Sequence, residues 1–86
     1  MNYTVDFSKS AEKYLRAIRD KSLYRRIRNA VDALGNDPRP SGCTKLEGSK
    51  DFHRIRVGDY RIIYQIRDAV LIVLVVEIGH RREVYR

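Results

Sequence analysis

Cysteine is almost absent from this chain. Cys43 stands alone, which excludes an internal disulfide and any site built from several thiolates; a reducing, cytoplasmic setting fits. No cluster of His, Cys and Asp shows metal-ligand spacing, and no cofactor is expected. The opening Met1-Asn2-Tyr3-Thr4-Val5-Asp6-Phe7 alternates polar and apolar residues and lacks the apolar central run of a secretion signal. The longest apolar stretch, Ala69 to Val76, is too short to span a bilayer. Repeats, linkers and low-complexity tracts are missing too, so the 86 residues read as one domain, 1–86, with a thin core. Lysine disappears after position 50, and every basic residue beyond it is arginine.

Positive charge is what the chain has in excess. Lys and Arg number 18 against 11 Asp and Glu, a formal net charge of +7. Residues 1–50 carry 11 basic and 6 acidic side chains, and residues 51–86 carry 7 and 5, so the excess is spread over the whole molecule. That distribution suits a large polyanion better than one small anionic ligand, and nucleic acid is the expected partner.

Hydrophobic periodicity predicts the pattern β-α-α-β-β-β. Tyr3, Val5 and Phe7 alternate with Asn2, Thr4 and Asp6 as a half-buried strand. Ser8 is an N-cap for a helix whose Ala11, Tyr14, Leu15 and Ile18 fall on one face. The chain turns near Asp20, and a second helix buries Leu23, Ile27, Ala30, Val31 and Leu34 before Gly35-Asn36-Asp37-Pro38 stops it. Its other face shows Arg25, Arg26 and Arg28, either a solvated surface or a nonspecific contact with nucleic acid. Residues 35–50 form an aperiodic loop that Leu46 is expected to pin to the core, with Cys43 an inert thiol. Strands follow at 52–57, 60–67 and 70–78, with an edge segment near 83–86. Val70 to Val76 is apolar on both faces, which places that strand inside the sheet. The expected fold is α+β: a small antiparallel sheet with two helices on one face and the other face open.

The open face carries the chemistry. In His53-Arg54-Ile55-Arg56-Val57, both arginines leave one side of a strand. Gly58-Asp59 is a two-residue hairpin turn, since Gly supplies the positive φ that a primed turn needs. The chain returns with Tyr60, Ile62, Tyr64 and Ile66 on the apolar side and Arg61 on the other. Tyr60, Tyr64 and His53 are therefore core residues. Three guanidinium groups share one side of a sheet, an arrangement suited to phosphate.

Lys45-Leu46-Glu47-Gly48, Arg54-Ile55-Arg56, Asp59-Tyr60-Arg61-Ile62-Ile63-Tyr64-Gln65, and Gly79-His80-Arg81 with Val84-Tyr85 together resemble the RelE branch of the RelE/ParE toxin superfamily, small toxins of type II toxin–antitoxin modules. The resemblance covers essentially the whole chain. It implies a metal-independent endoribonuclease that cleaves messenger RNA in the ribosomal decoding site, the 2′-hydroxyl attacking the adjacent phosphate. It implies Arg54 and Arg56 at the positions of two catalytic lysines, Arg61 and Arg81 at those of catalytic arginines, and Tyr85 at that of a tyrosine that stacks on a substrate base. Arg82 joins Arg25, Arg26 and Arg28 as a candidate RNA contact. Implied partners are the ribosome with its message and a cognate acidic, RelB-like antitoxin.

One departure matters. Arginine's high pKa makes it a poor base where a lysine can lose its proton. His80, beside Arg81 at a strand end, is the candidate proton acceptor; the alternative is catalysis by charge stabilisation and positioning alone. Glu47 is near in sequence but off the matching position. Many relatives continue into a C-terminal helix that the antitoxin displaces, and with Arg86 the last residue that mode of inhibition is not carried over. Rival readings are a ParE-like inhibitor of DNA gyrase and a non-catalytic RNA-binding module.

Overall fold

The computed structural model describes residues 2–46, 48 and 51–80. In chain order the elements are β1 (Thr4–Phe7), α1 (Lys9–Arg16), α2 (Lys21–Ala33), β2 (Thr44–Lys45), β3 (Phe52–Val57), β4 (Tyr60–Arg67), a single 3-10 turn at Asp68–Val70, and β5 (Ile72–His80). The segment predicted near 83–86 lies outside the described residues. Both helices start where the sequence places them. The Ser8 hydroxyl oxygen accepts from the Ala11 N–H at 3.0 Å, and Asp20 Oδ1 accepts from the Ser22 and Leu23 N–H groups at 2.9 and 3.2 Å. Each contact satisfies a donor that the first helical turn leaves open.

The five strands run in the order β1-β5-β4-β3-β2. The β3-β4-β5 meander is antiparallel as expected. β1, however, pairs in parallel with β5, Thr4 beside Ile72 through Phe7 beside Val75, so the sheet is mixed and not wholly antiparallel. A tight hairpin forces antiparallel pairing, whereas β1 reaches the meander only through the two-helix crossover, which leaves its direction free. With β1 on one side and β4 on the other, β5 is an interior strand, and its apolar run follows from that.

The helices cover one face. Ala11, Leu15, Ile27, Val31 and Leu34 pack on Ile55, Ile62, Tyr64, Ile66, Val73, Val75 and Ile78, all buried. Tyr64 is fully enclosed and its hydroxyl donates to the Pro38 carbonyl at 2.7 Å; burial holds its phenol well above the usual tyrosine range. His53 is buried beside it, with ring centroids 5.8 Å apart, the core role expected. The loop after α2 is therefore tied down by Pro38 and by Cys43, which packs on the core. Leu46, expected to do this, is only half-buried and contributes its backbone N–H to the Phe52 carbonyl.

At the end of the sheet away from the β3–β4 turn, Asp68 accepts from the Tyr3 hydroxyl and from both terminal nitrogens of Arg39, at 3.4 and 2.9 Å. Hydrogen bonding from Arg39, then from Tyr3, holds its carboxyl below the usual aspartate range. A depressed carboxyl contributes stability above its unfolded pKa and loses it as pH falls through the folded one. Asp68→Asn is accordingly expected to unfold at lower urea than the parent at neutral pH, with the gap closing below about pH 4. A gap that stays constant into acid would mean the carboxylate's charge contributes nothing.

Candidate functional site

The β3–β4 hairpin builds the site. Gly58 takes φ +59° at the turn, and the register sets Arg56 opposite Arg61 and Arg54 opposite Ile63. Residues directly opposite in an antiparallel pair share a face. Arg54, Arg56 and Arg61 thus leave the side that the helices do not cover, while Ile55, Ile62 and Tyr64 point into the core. Their exposure differs sharply. Arg56 is exposed, Arg54 is half-buried, and Arg61 is only 6% exposed. Attraction between a guanidinium and an anion strengthens as water is excluded from around it, so an anion that reached Arg61 would be held more strongly there than at solvated Arg56. The buried Nε of Arg54 has no acceptor among the described residues.

The helix arginines do not form one solvated row. Arg25 is exposed. Arg28 lies 5.4 Å over the Phe7 ring and pairs with Asp32 at 3.5 Å, so part of its surface is engaged by the fold. Arg26 reaches the hairpin: a Cβ placed on Gly58 would stand 2.9 Å from Arg26 Nη2. The left-handed backbone is what calls for glycine at 58; the exposed tip of Arg26 can move aside.

His80 leaves the opposite face of the sheet from Arg54, Arg56 and Arg61. The register places it opposite Tyr60, against which its ring packs edge-on at 5.1 Å. It shares the face of Tyr60, whereas Arg61 is paired with Gly79 and leaves the other side. Arg81, Arg82 and Tyr85 lie outside the described residues.

One carboxylate is not visible in the sequence pattern. Alternation through Val73 and Val75 would send Glu77 inward, toward the core. Ile63 instead pairs with Glu77 and Tyr64 with Val75, so Val76 is an extra residue in β5, a β-bulge. Glu77 emerges exposed on the arginine face, and Ile78 takes the inward position opposite Ile62. The only trace of this in the sequence is the three-residue step from Val75 to Ile78. Among the described residues, no group of three His, Cys, Asp or Glu side chains is placed to hold a metal ion.

Residues 5–85 match a family model described as the ParE toxin of type II toxin–antitoxin systems. The chain is 33% identical over 84 residues to a putative RelE-like toxin protein of Escherichia coli, covering 94% of this chain and 85% of the relative. It is 28% identical over 86 residues to toxin RelG of Mycobacterium tuberculosis, covering 100% and 99%. Among solved structures it is similar to the archaeal RelE–RelB complex from Pyrococcus horikoshii, with a TM-score of 0.82 and 32% identity over 94% of this chain and 97% of that one.

Proposed function

The chain belongs to the RelE/ParE family of toxins from type II toxin–antitoxin systems, and from that premise we propose that it is a ribosome-dependent, metal-independent endoribonuclease that cleaves messenger RNA and so stops translation. The observation that carries this reading is the cross-strand pair Arg56–Arg61 with Arg54 on the same sheet face, Arg61 almost out of water. Cleavage by an adjacent 2′-hydroxyl passes through a phosphorane whose extra negative charge must be met by fixed donors. Arg61, together with Arg81, clamps the scissile phosphate, each through two parallel N–H···O bonds. Arg54 and Arg56 meet the charge that develops on the phosphorane. Tyr85 stacks on a base and keeps the backbone splayed for in-line attack. Arg25 and Arg82 add contacts to ribosomal RNA, as do the exposed parts of Arg26 and Arg28.

The partner follows from the same premise. The Pyrococcus structure is a complex of RelE with RelB, and a RelB-like acidic antitoxin fits a chain of net charge +7. No helix among the described residues is long and apolar enough to cross a membrane, and a ribosome-directed toxin acts in the cytoplasm.

The test is translation in vitro of a defined message with the purified chain, followed by mapping of ends. Fragments with a 2′,3′-cyclic phosphate and a free 5′-hydroxyl, made only when ribosomes are present, support the reading. Because the matched family model carries the ParE name, the same preparation should be assayed for inhibition of gyrase supercoiling. Inhibition of gyrase with an intact message would replace the ribonuclease by a gyrase poison.

A further inference from the structure

The ribonuclease reading leaves one task unassigned: the 2′-hydroxyl must lose a proton, and arginines are poor acceptors. His80, the sequence-based candidate, shares the face of Tyr60 and not that of Arg61. We propose that Glu77 is the general base of the cleavage step; the proposal rests on the ribonuclease reading.

Placement is the first argument. Across three strands, Arg54, Ile63 and Glu77 stand in one row, and in the next row Arg56, Arg61 and Gly79. Glu77 is therefore the diagonal neighbour of Arg61. Diagonal Cα pairs in a sheet are roughly 7–8 Å apart, within reach of long side chains. Gly79, directly opposite Arg61, adds no side chain to this face, while Ile63, opposite Glu77, adds its own. Glu77 itself is exposed, so its carboxylate is open to an incoming ribose.

The second argument is the bulge. Val76 has no partner in β4; were it paired in turn, Glu77 would face the core and Ile78 the arginines. The irregularity is anchored. The Ser8 N–H donates to the Val75 carbonyl at 2.8 Å and the Ser8 hydroxyl to the Val76 carbonyl at 2.9 Å. The same hydroxyl oxygen caps α1. A distortion fastened to a helix cap is a built feature, and bulges commonly re-aim a side chain beside an active site.

The step balances without a cofactor. The 2′ O–H bond breaks as its proton passes to a Glu77 carboxylate oxygen, and the 2′ oxygen bonds to phosphorus. The P–O5′ bond breaks, and the 5′ oxygen takes a proton from water. The hydroxide left behind is neutralised when Glu77 returns its proton to solvent. Among the described strand residues, the charged groups sharing this face are Arg54 and Arg56 on β3, Arg61 and Arg67 on β4 and Asp6 on β1. The helices lie on the opposite side.

Single-turnover cleavage of a defined message on programmed ribosomes, followed from about pH 5 to 8, tests this with the parent, Glu77→Gln, Glu77→Asp and His80→Gln. Glu77→Gln is expected to slow cleavage on the order of 10²- to 10⁴-fold, the usual contribution of a general base. Pelleting with ribosomes should be unchanged, which places the loss in the cleavage step. Glu77→Asp, which keeps a base on a shorter arm, should recover part of the rate. Parental rate and pH profile in Glu77→Gln overturn the proposal and leave the ribonuclease reading standing. So does a limb that persists in Glu77→Gln and vanishes in His80→Gln, which makes His80 the base. If the parent itself leaves the message whole, both readings fall together.

Discussion

Arg61→Ala is expected to abolish growth arrest in cells and to lower single-turnover cleavage by on the order of a hundred-fold or more, the typical cost of one oriented transition-state donor. Burial makes this position more sensitive than Arg56, its cross-strand partner, because Arg61 is only 6% exposed and Arg56 is solvated. Water cannot replace a missing donor where water does not reach. Arg61→Lys keeps the charge and loses the planar fork, so it should fall between the parent and the alanine variant. Because the arginine stem is packed, thermal melts must accompany the assay, and loss of activity counts only where the variant is folded at the assay temperature. Arg81→Ala should match Arg61→Ala. If both remain fully toxic at matched expression, the phosphate clamp is in the wrong place.

Co-expression with the product of the neighbouring reading frame is expected to restore growth, and the two proteins to purify together. The arginine face and the net charge of +7 call for an acidic partner that wraps the toxin with a helix and an extended segment, both folding as they bind. Its carboxylates should neutralise Arg54, Arg56, Arg61 or Arg81, or its bulk should block entry to the ribosome. Binding should weaken as salt rises, since much of the attraction acts between partly solvated charges. At a thousand times its Kd such a partner stabilises the toxin by about 4 kcal/mol. For a domain of this size that raises the melting temperature by roughly 15–30 °C. A neighbouring product that neither binds nor relieves toxicity would remove the toxin–antitoxin pairing and bring the RNA-binding module forward.

Local chemistry makes much of the fold legible. Ser8 reads as a cap because a hydroxyl just ahead of a helix can accept from the open N–H groups of its first turn, and Gly58-Asp59 sets a turn that leaves β3 and β4 one register. That register is why the sequence alone puts Arg54, Arg56 and Arg61 on a shared side. What stays hidden is non-local. Alternation in residues 3–7 marks a strand and says nothing of its partner, so the parallel pairing of β1 with β5 cannot be read from it. The two residues of β2 are too few to show a period. Arg26 over Gly58 and Arg28 over Phe7 depend on how α2 lies across the sheet, which its own periodicity does not specify. His80 and Glu77 exchange apparent roles for a similar reason. Strict alternation from Val73 assigns Glu77 to the core, and one unpaired residue reverses the assignment.

Val76 also gives β5 a residue to spare. Residues 72–75 take their places beside β1, while 77–80 take theirs beside the end of β4 that carries the hairpin. The bulge is the joint between these two counts. Deleting Val76 would straighten the strand and leave Glu77 opposite Ile63 and Gly79 opposite Arg61; the loss would fall on the carbonyl that receives the Ser8 hydroxyl. A deletion between Glu77 and Gly79 has no such slack, because it turns one of the two to the wrong face. When related chains are aligned, single-residue gaps should therefore gather just ahead of Glu77, and the spacing from Glu77 to Gly79 should hold without one.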